Sequence, residues 1–207
     1  MTNFVKQNLY KLWEKLHRLD TLKDGPGEQN RPDHRYGNQM KGYEPSNWRA
    51  LSRVDQIVSF SEDDIFIDFG SGKGRIVYLA ARYPFKKIIG VEISEHFHEI
   101  AKANIANSRS RLKCRDIELI NQNAADYMPE DPFSIAYFFN PFVNTIFEKV
   151  IENIKLSFLS NPRKLWIVYK KPIMADYLDT CEWLTHVHTN RNTAFYRSVH
   201  PDGSLIT

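Results

Sequence analysis

The sequence predicts an α/β fold in which a mostly parallel sheet has helices on both faces and ends in an antiparallel hairpin. Five short apolar segments of strand type begin at positions 65, 87, 117, 134 and 164, and apolar residues at helical spacing lie between most of them. Such alternation favours parallel crossover units. The last two strand-like segments, 181–189 and 193–199, are joined by Asn190-Arg191-Asn192, which is typical of a hairpin.

Length and composition narrow the class of protein. The 207 residues favour one domain with a sizeable core, and 42% hydrophobic and 26% charged residues are ordinary for a globular protein. A formal net charge of +3 is too small to indicate nucleic-acid binding by itself. Cys114 and Cys181 have no C-x-x-C spacing, and we recognise no secretory signal or membrane span. We therefore expect reduced thiols and a cytoplasmic location.

A glycine-rich turn after the first strand is the most informative stretch. The strand 65–67 leads into Asp68-Phe69-Gly70-Ser71-Gly72-Lys73-Gly74, and a helix-like run follows at 75–83. Glycines allow a sharp turn and close approach to a ligand, and the helix N-terminus offers free N–H groups and a positive dipole end. Glu92, at the tip of the second strand, can accept hydrogen bonds from both hydroxyls of a ribose. The predicted ligand contains a nucleoside.

Two cofactor classes compete for this turn. The dinucleotide fingerprint G-x-G-x-x-G/A fails because its last position, counted from Gly70, is Arg75. The pattern D-x-G-x-G-x-G from Asp68, followed by G-V-E ending at Glu92, resembles motif I and the end of strand two of class I S-adenosylmethionine-dependent methyltransferases. The resemblance covers about residues 43–200. It implies a Rossmann-like seven-stranded sheet and S-adenosyl-L-methionine as the cofactor, whereas a turn that only packs helix on strand is the structural alternative.

The class I resemblance also implies which residues contact the cofactor. Asp126, after the third strand, is the candidate acceptor for the adenine amino group, with Tyr127 as an aromatic neighbour of the adenine. The other expected contacts lie on the turn, after the second strand and after the fourth strand: Asp68, Gly70, Ser71, Gly72, Gly74, Glu92, Ile93 and Asn140.

A second, narrower resemblance begins upstream of the turn. The loop Tyr43-Glu44-Pro45-Ser46-Asn47-Trp48, a helix at about 48–58 and the run from Ser61 to Gly72 resemble the non-SET histone lysine methyltransferases of the disruptor-of-telomeric-silencing type and related bacterial proteins. In that family the loop folds over the bound cofactor. Tyr43 and Glu44 would then touch its methionine end. The alternative is a capping turn in which Ser46 or Asn47 caps the helix.

The fourth strand, 134–139, ends in Asn140-Pro141-Phe142 at the carboxyl edge of the sheet, where open α/β sheets place their chemistry. The tripeptide resembles the N-P-P-F of amino methyltransferases, although Phe142 replaces the second proline and Val143 replaces the aromatic residue. It also resembles the N-N-F of the non-SET enzymes. Asn140 could hold an acceptor amine beside the cofactor, and we expect Tyr43 to face it across the methyl-transfer channel. An asparagine–proline turn that closes the strand is the alternative.

The N-terminal 42 residues form a separate unit in this interpretation, and residues 43–207 form the cofactor-binding domain. Residues 4–23 predict an amphipathic helix with a basic polar side, and residues 28–42 predict a polar loop. Three roles stay open for the helix: docking on the domain, covering the substrate pocket as a lid, or a weak membrane-surface contact.

Three functional hypotheses follow. The first is methylation of a nitrogen on a protein lysine or a small-molecule amine. The second is nucleic-acid methylation, which requires a basic face with interleaved aromatics, whereas Arg163, Lys164, Lys170 and Lys171 give only a slight basic patch. The third is a cofactor-binding module without catalysis. No metal site is predicted, since His96 and His98 are two residues apart on a helix and point in different directions.

Overall fold

A seven-stranded sheet forms the centre of the computed structural model, which describes residues 3–22, 39, 42–200 and 202–206. The strands are β1 (Ile65–Phe69), β2 (Lys87–Glu92), β3 (Ile117–Asn121), β4 (Ile135–Phe139), β5 (Trp166–Lys170), β6 (Leu184–Thr189) and β7 (Thr193–Ser198). The helices are α1 (Asn3–His17), α2 (Ala50–Val58), α3 (Arg75–Ala80), α4 (Glu95–Ser108), α5 (Asn144–Ser160) and α6 (Ala175–Asp179).

The strand order is β3-β2-β1-β4-β5-β7-β6, with β1 to β5 parallel. Strand β7 runs antiparallel to both β5 and β6. The predicted fold class is therefore confirmed: a Rossmann-like, mostly parallel sheet that ends in an antiparallel hairpin.

Two apolar clusters cover the two faces of the sheet. Ile67 on β1 belongs to the cluster that contains the buried side of α5, whereas its neighbour Phe66 belongs to the cluster that contains α2 and α3. Successive strand residues point to opposite faces, so a strand buried on both faces needs a continuous apolar run. This requirement explains why the central strands lack the alternating polarity of a half-exposed sheet.

Several element boundaries differ from the sequence prediction. Helix α1 ends at His17 rather than near residue 23, because Arg18 takes a left-handed conformation with a φ of 54°. Helix α2 begins at Ala50 with Arg49 as its N-cap residue, and the side chain of Asn47 accepts from the amide of Arg49 at 2.8 Å in the turn that leads into the helix. The prediction missed α6, which has only five residues and too short a pattern to recognise. Every helix in the described parts of the chain is too short or too polar to cross a lipid bilayer.

Candidate functional site

The glycine turn is fixed to the end of β2 by its own backbone. The amides of Gly70 and Ser71 both donate to the carbonyl oxygen of Val91, at 2.9 and 3.0 Å. Gly70 and Gly72 have φ angles of 76° and 54°, in the left-handed region that favours glycine. The turn therefore holds a defined shape at the carboxyl edge of the sheet.

The glycines make room for other parts of the protein as well as for a sharp turn. A Cβ on Gly70 would lie 2.3 Å from the Cβ of Pro141, and a Cβ on Gly72 would lie 2.6 Å from the ring of Tyr43. The sequence interpretation expected the glycines to make room for a ligand. In the structure, they admit Pro141 from the end of β4 and Tyr43 from the loop before α2. Tyr43 and the neighbour of Asn140 thus meet on the same turn.

Glu92 is buried behind this turn and bonded to it. Its Oε2 accepts from the amide of Gly72 at 2.7 Å, and its Oε1 accepts from the amide of Ser94 at 2.9 Å. Burial raises the pKa of the Glu92 carboxyl, and these backbone hydrogen bonds partly oppose the shift. Each carboxylate oxygen can accept more than one hydrogen bond, so the carboxylate retains acceptor capacity.

Asp68 is a second buried carboxyl at the same edge. Asp68 is 3% exposed, and it lies opposite Gly90 in the pairing of β1 with β2. Burial, followed by the negative charge of Glu92, raises the pKa of Asp68 well above its usual range. Two carboxyls with raised pKa values at the carboxyl edge of a parallel sheet are a feature of functional sites, and a nearby cation would stabilise their ionised forms.

Arg75, which appeared in the sequence only as the residue that breaks the dinucleotide pattern, organises the N-terminal side of the site. Its guanidinium is buried and donates to Oε1 of Glu14 at 2.7 Å. Further bonds run to Oγ1 of Thr21 at 2.8 Å, to the Thr21 carbonyl at 2.7 Å and to the Ser46 carbonyl at 2.7 Å. The Cζ of Arg75 also lies 4.4 Å from the centroid of the Trp48 ring. Arg75 thereby joins α1 and the loop before α2 to the first turn of α3.

One local signal could have identified this role. A cation in the first turn of a helix is repelled by the positive end of the helix dipole. The four residues that follow Arg75 are Ile76, Val77, Tyr78 and Leu79, and none of them is acidic. Such a cation needs a specific anionic partner, although the sequence does not say which one.

The segment after α1 is attached to the glycine turn by further bonds. The ammonium group of Lys73 donates to Oδ1 of Asp20 at 3.0 Å and to the carbonyl of Leu22 at 3.2 Å. The Nδ2 of Asn104 donates to the carbonyls of Asp20 and Lys73, at 2.8 and 2.9 Å. We call residues 14–22 the N-terminal anchor. Most of the predicted polar loop at 28–42 lies outside the described residues.

Tyr43 and Glu44 follow different courses although they are adjacent. The ring of Tyr43 packs on Phe97 with a centroid distance of 5.0 Å, and its hydroxyl donates to the carbonyl of Thr21 at 2.7 Å. Glu44 is exposed, and both of its carboxylate oxygens accept from Nζ of Lys171, at 2.7 and 2.6 Å. Tyr43 therefore covers the glycine turn, whereas Glu44 connects the loop to the end of β5.

Asn140 follows β4 directly and has a φ of 43°, which turns the chain sharply at the sheet edge. Its Oδ1 is buried and has no hydrogen-bond partner among the residues that the structure describes. A buried acceptor without a partner costs about 1–3 kcal/mol. The position therefore suits a donor that the described part of the chain does not supply.

The cofactor contacts predicted after β2 and β3 differ in how far they are exposed. Asp126 is exposed in the turn after β3, and Ile93 is partly buried against the core. The Tyr127 ring lies in the core, 6.2 Å from the ring of Phe69, and burial raises its pKa to about 12. Tyr127 is thus a core residue in this structure.

Comparison with known sequences places the chain near one family. The model of the family described as histone methylation protein DOT1 matches residues 37–131. A protein-lysine N-methyltransferase of Saccharolobus islandicus (strain REY15A) is 41% identical over 64 residues, which are 30% of this chain and 40% of that protein. The match thus spans less than half of the curated relative.

Two solved methylases share this fold. An rRNA methylase from Streptococcus thermophilus has a TM-score of 0.54 and 14% identity, over 76% of this chain and 100% of the other. A ribosomal protein L11 methylase from Lactobacillus delbrueckii subsp. bulgaricus has a TM-score of 0.54 and 15% identity, over 72% and 76%. The resemblance to class I methyltransferases, and the narrower one to the non-SET lysine methyltransferases, are confirmed.

Proposed function

We propose that this protein is an S-adenosylmethionine-dependent methyltransferase that acts on a nitrogen, with a protein lysine as the leading acceptor and a small-molecule amine as the alternative. The observation that carries the nitrogen acceptor is Oδ1 of Asn140, which is buried beside the glycine turn and has no hydrogen-bond partner among the described residues. The family match at residues 37–131 and the lysine-methylating relative support the choice of lysine.

The residues at the turn fit a nucleoside cofactor with a positive charge. The Glu92 carboxylate has acceptor capacity left for two ribose hydroxyls, since each oxygen receives one backbone bond from Gly72 or Ser94. The buried Asp68 carboxyl lies at the same edge, where a cationic ligand would favour its ionised form. The bound cofactor supplies a methyl group activated by its sulfonium.

The remaining cofactor contacts are proposed from the resemblance. They comprise the backbone at Gly70, Ser71, Gly72 and Gly74, together with Ile93, Asp126 and Glu44. Asp126 is exposed at the carboxyl end of β3, where an adenine amino group could reach it. To contact the cofactor, Glu44 would exchange its Lys171 partner for a ligand group.

Asn140 would position the acceptor. A neutral amine can donate an N–H to Oδ1 of Asn140 while its lone pair points toward the methyl group, and the ammonium product then releases a proton to solvent. Tyr43 would form the opposite wall, because its ring is held on Gly72 by Phe97 and Thr21. Together they would fix the acceptor and exclude water from it.

The experiment measures transfer of a labelled methyl group to lysine-containing acceptor proteins, together with calorimetric affinity for S-adenosylhomocysteine. Asn140→Ala should lower turnover about 10–100-fold, the effect of losing one strong hydrogen bond in the transition state, while affinity for S-adenosylhomocysteine changes little. Asn161→Ala, on an exposed residue after α5, is the matched control and should behave as wild type. Normal turnover in a folded Asn140→Ala variant would remove Asn140 from this role.

A further inference from the structure

A second concave feature lies beside the proposed acceptor position. A cavity of about 670 Å³ opens between α2, the loop at residues 44–47, the carboxyl end of β5 and the turn that joins β6 to β7. Its volume is in the range of pockets that bind small molecules or a few side chains. Phe139, the residue directly before Asn140, lines it. A molecule held in this cavity could therefore extend toward Asn140.

The charges around the cavity are strongly unbalanced. Cationic side chains come from α1, α2, the end of β5 and the β6–β7 turn, whereas Glu44 is the one acidic side chain among the described residues that line the cavity. Arg75 also lines the cavity, but Glu14 already neutralises it. The cations that remain are Lys11, Arg53, Lys170, Lys171 and Arg191.

Arg53 and Lys170 are the two partly buried cations of this set that have no carboxylate partner among the described residues. Arg53 is half-buried on α2, and within the described chain it makes no hydrogen bond to a carbonyl and no ion pair with a carboxylate. Burial lowers the pKa of Lys170, and the positive charges of Arg53 and Lys171 lower it further. Glu44 gives both of its oxygens to Lys171. A partly desolvated cation without an anionic partner is unfavourable, so the arrangement favours the binding of an anion.

We propose that this cavity binds a carboxylate or phosphate group of the methyl acceptor, with Arg53 and Lys170 as its principal contacts. Arg53 can form the two parallel hydrogen bonds that planar carboxylates and phosphates accept from a guanidinium. Lys170, whose Nζ donates to the carbonyl of Arg191 at 2.8 Å, has further donors available for the same anion. The inference that the bound anion belongs to the methyl acceptor rests on the proposed function, whereas the presence of an anion site does not.

The test separates anion binding from methyl transfer. Inorganic pyrophosphate is titrated calorimetrically into the full chain with saturating S-adenosylhomocysteine, at low and at physiological salt. The same titration is made with Arg53→Gln, Lys170→Gln and Lys149→Gln, the last being an exposed residue of α5 that loses the same charge. We expect saturable binding that weakens about tenfold or more in the first two variants, as for a lost charged hydrogen bond, and stays within about twofold in the third.

Two lysine peptides then identify the source of the anion. One carries glutamates on both sides of the lysine, and the other carries glutamines. Preferential methylation of the glutamate peptide, lost in Arg53→Gln, assigns the anion to a protein acceptor; equal methylation together with pyrophosphate binding that depends on Arg53 assigns it to a small molecule. The absence of saturable binding, or an equal loss in all three variants, overturns the proposal. If neither peptide is methylated while pyrophosphate binding still depends on Arg53, the lysine acceptor falls and the anion site stands.

Discussion

Replacement of Glu14 by alanine tests whether the N-terminal anchor is an integral part of the domain. The change removes the carboxylate that faces the Arg75 guanidinium, and side-chain exposures of 5% and 4% place both groups away from water. It also removes the acceptors for the hydroxyl and the amide of Thr21, at 2.6 and 3.1 Å. Breaking a buried ion pair on one side typically costs about 3–5 kcal/mol. Because Arg75 keeps three oxygen acceptors and the face of Trp48, we expect a loss of about 3 kcal/mol.

Two related variants separate charge from shape. Glu14→Gln keeps an oxygen acceptor for Arg75 and should lose about 1.5–3 kcal/mol, as for a hydrogen bond to a charged group. In the double variant Glu14→Ala/Arg75→Met no uncompensated charge is buried, so it should be more stable than Glu14→Ala alone.

The assay is urea unfolding followed by far-ultraviolet circular dichroism, with the free energy of unfolding taken from each transition. Glu62→Ala, on an exposed acid before β1, serves as the control and should leave the midpoint unchanged. A buried polar group that loses its partner costs at least about 1 kcal/mol, so a smaller loss of unfolding free energy in Glu14→Ala would refute the reasoning. The N-terminal anchor would then be a loosely docked appendage, as a separate unit of residues 1–42 implies.

Two further predictions concern the turn. Affinity for S-adenosylhomocysteine should fall as the pH falls through the raised pKa of Glu92, because ribose hydroxyls donate to the ionised carboxylate and binding to the protonated form must release a proton; calorimetry in buffers of different ionisation enthalpy measures that release, and pH-independent affinity would contradict it. A residue with a Cβ loses about 1–2 kcal/mol in the left-handed conformation. Gly72→Ala should lower the free energy of unfolding by more than this, because its Cβ also meets the Tyr43 ring. Gly203→Ala, with a φ of 81° and open space around its Cβ, should show the conformational cost alone.

The fold could be predicted from the sequence because its signals are local. The alternation of strand and helix patterns requires only neighbouring residues, and the glycine turn with Glu92 lies within one βαβ unit. The sequence prediction missed α6, whose local pattern is short. It misplaced the end of α1, where the single residue Arg18 leaves the helical conformation.

The long-range contacts of the site could not be predicted in this way. Glu14 and Arg75 are 61 residues apart, and Glu44 and Lys171 are 127 residues apart. Each of these charged residues reads as an ordinary surface residue in its own segment. Only the packing of α1 against α3, and of the β5 end against the loop before α2, brings the partners together. The same packing creates the cation-lined cavity, for which no single segment carries a signal.

Binding of the cofactor product at the glycine turn is the central claim, and calorimetric titration of S-adenosylhomocysteine into wild type and Glu92→Ala tests it most directly. We expect saturable binding to wild type, no binding of NAD, and about 10–100-fold weaker binding to Glu92→Ala, since a carboxylate that accepts from two hydroxyls is lost. Circular dichroism of the variant establishes that it is folded. Unchanged affinity in a folded Glu92→Ala variant, or saturable binding of NAD in place of S-adenosylhomocysteine, would contradict the assignment.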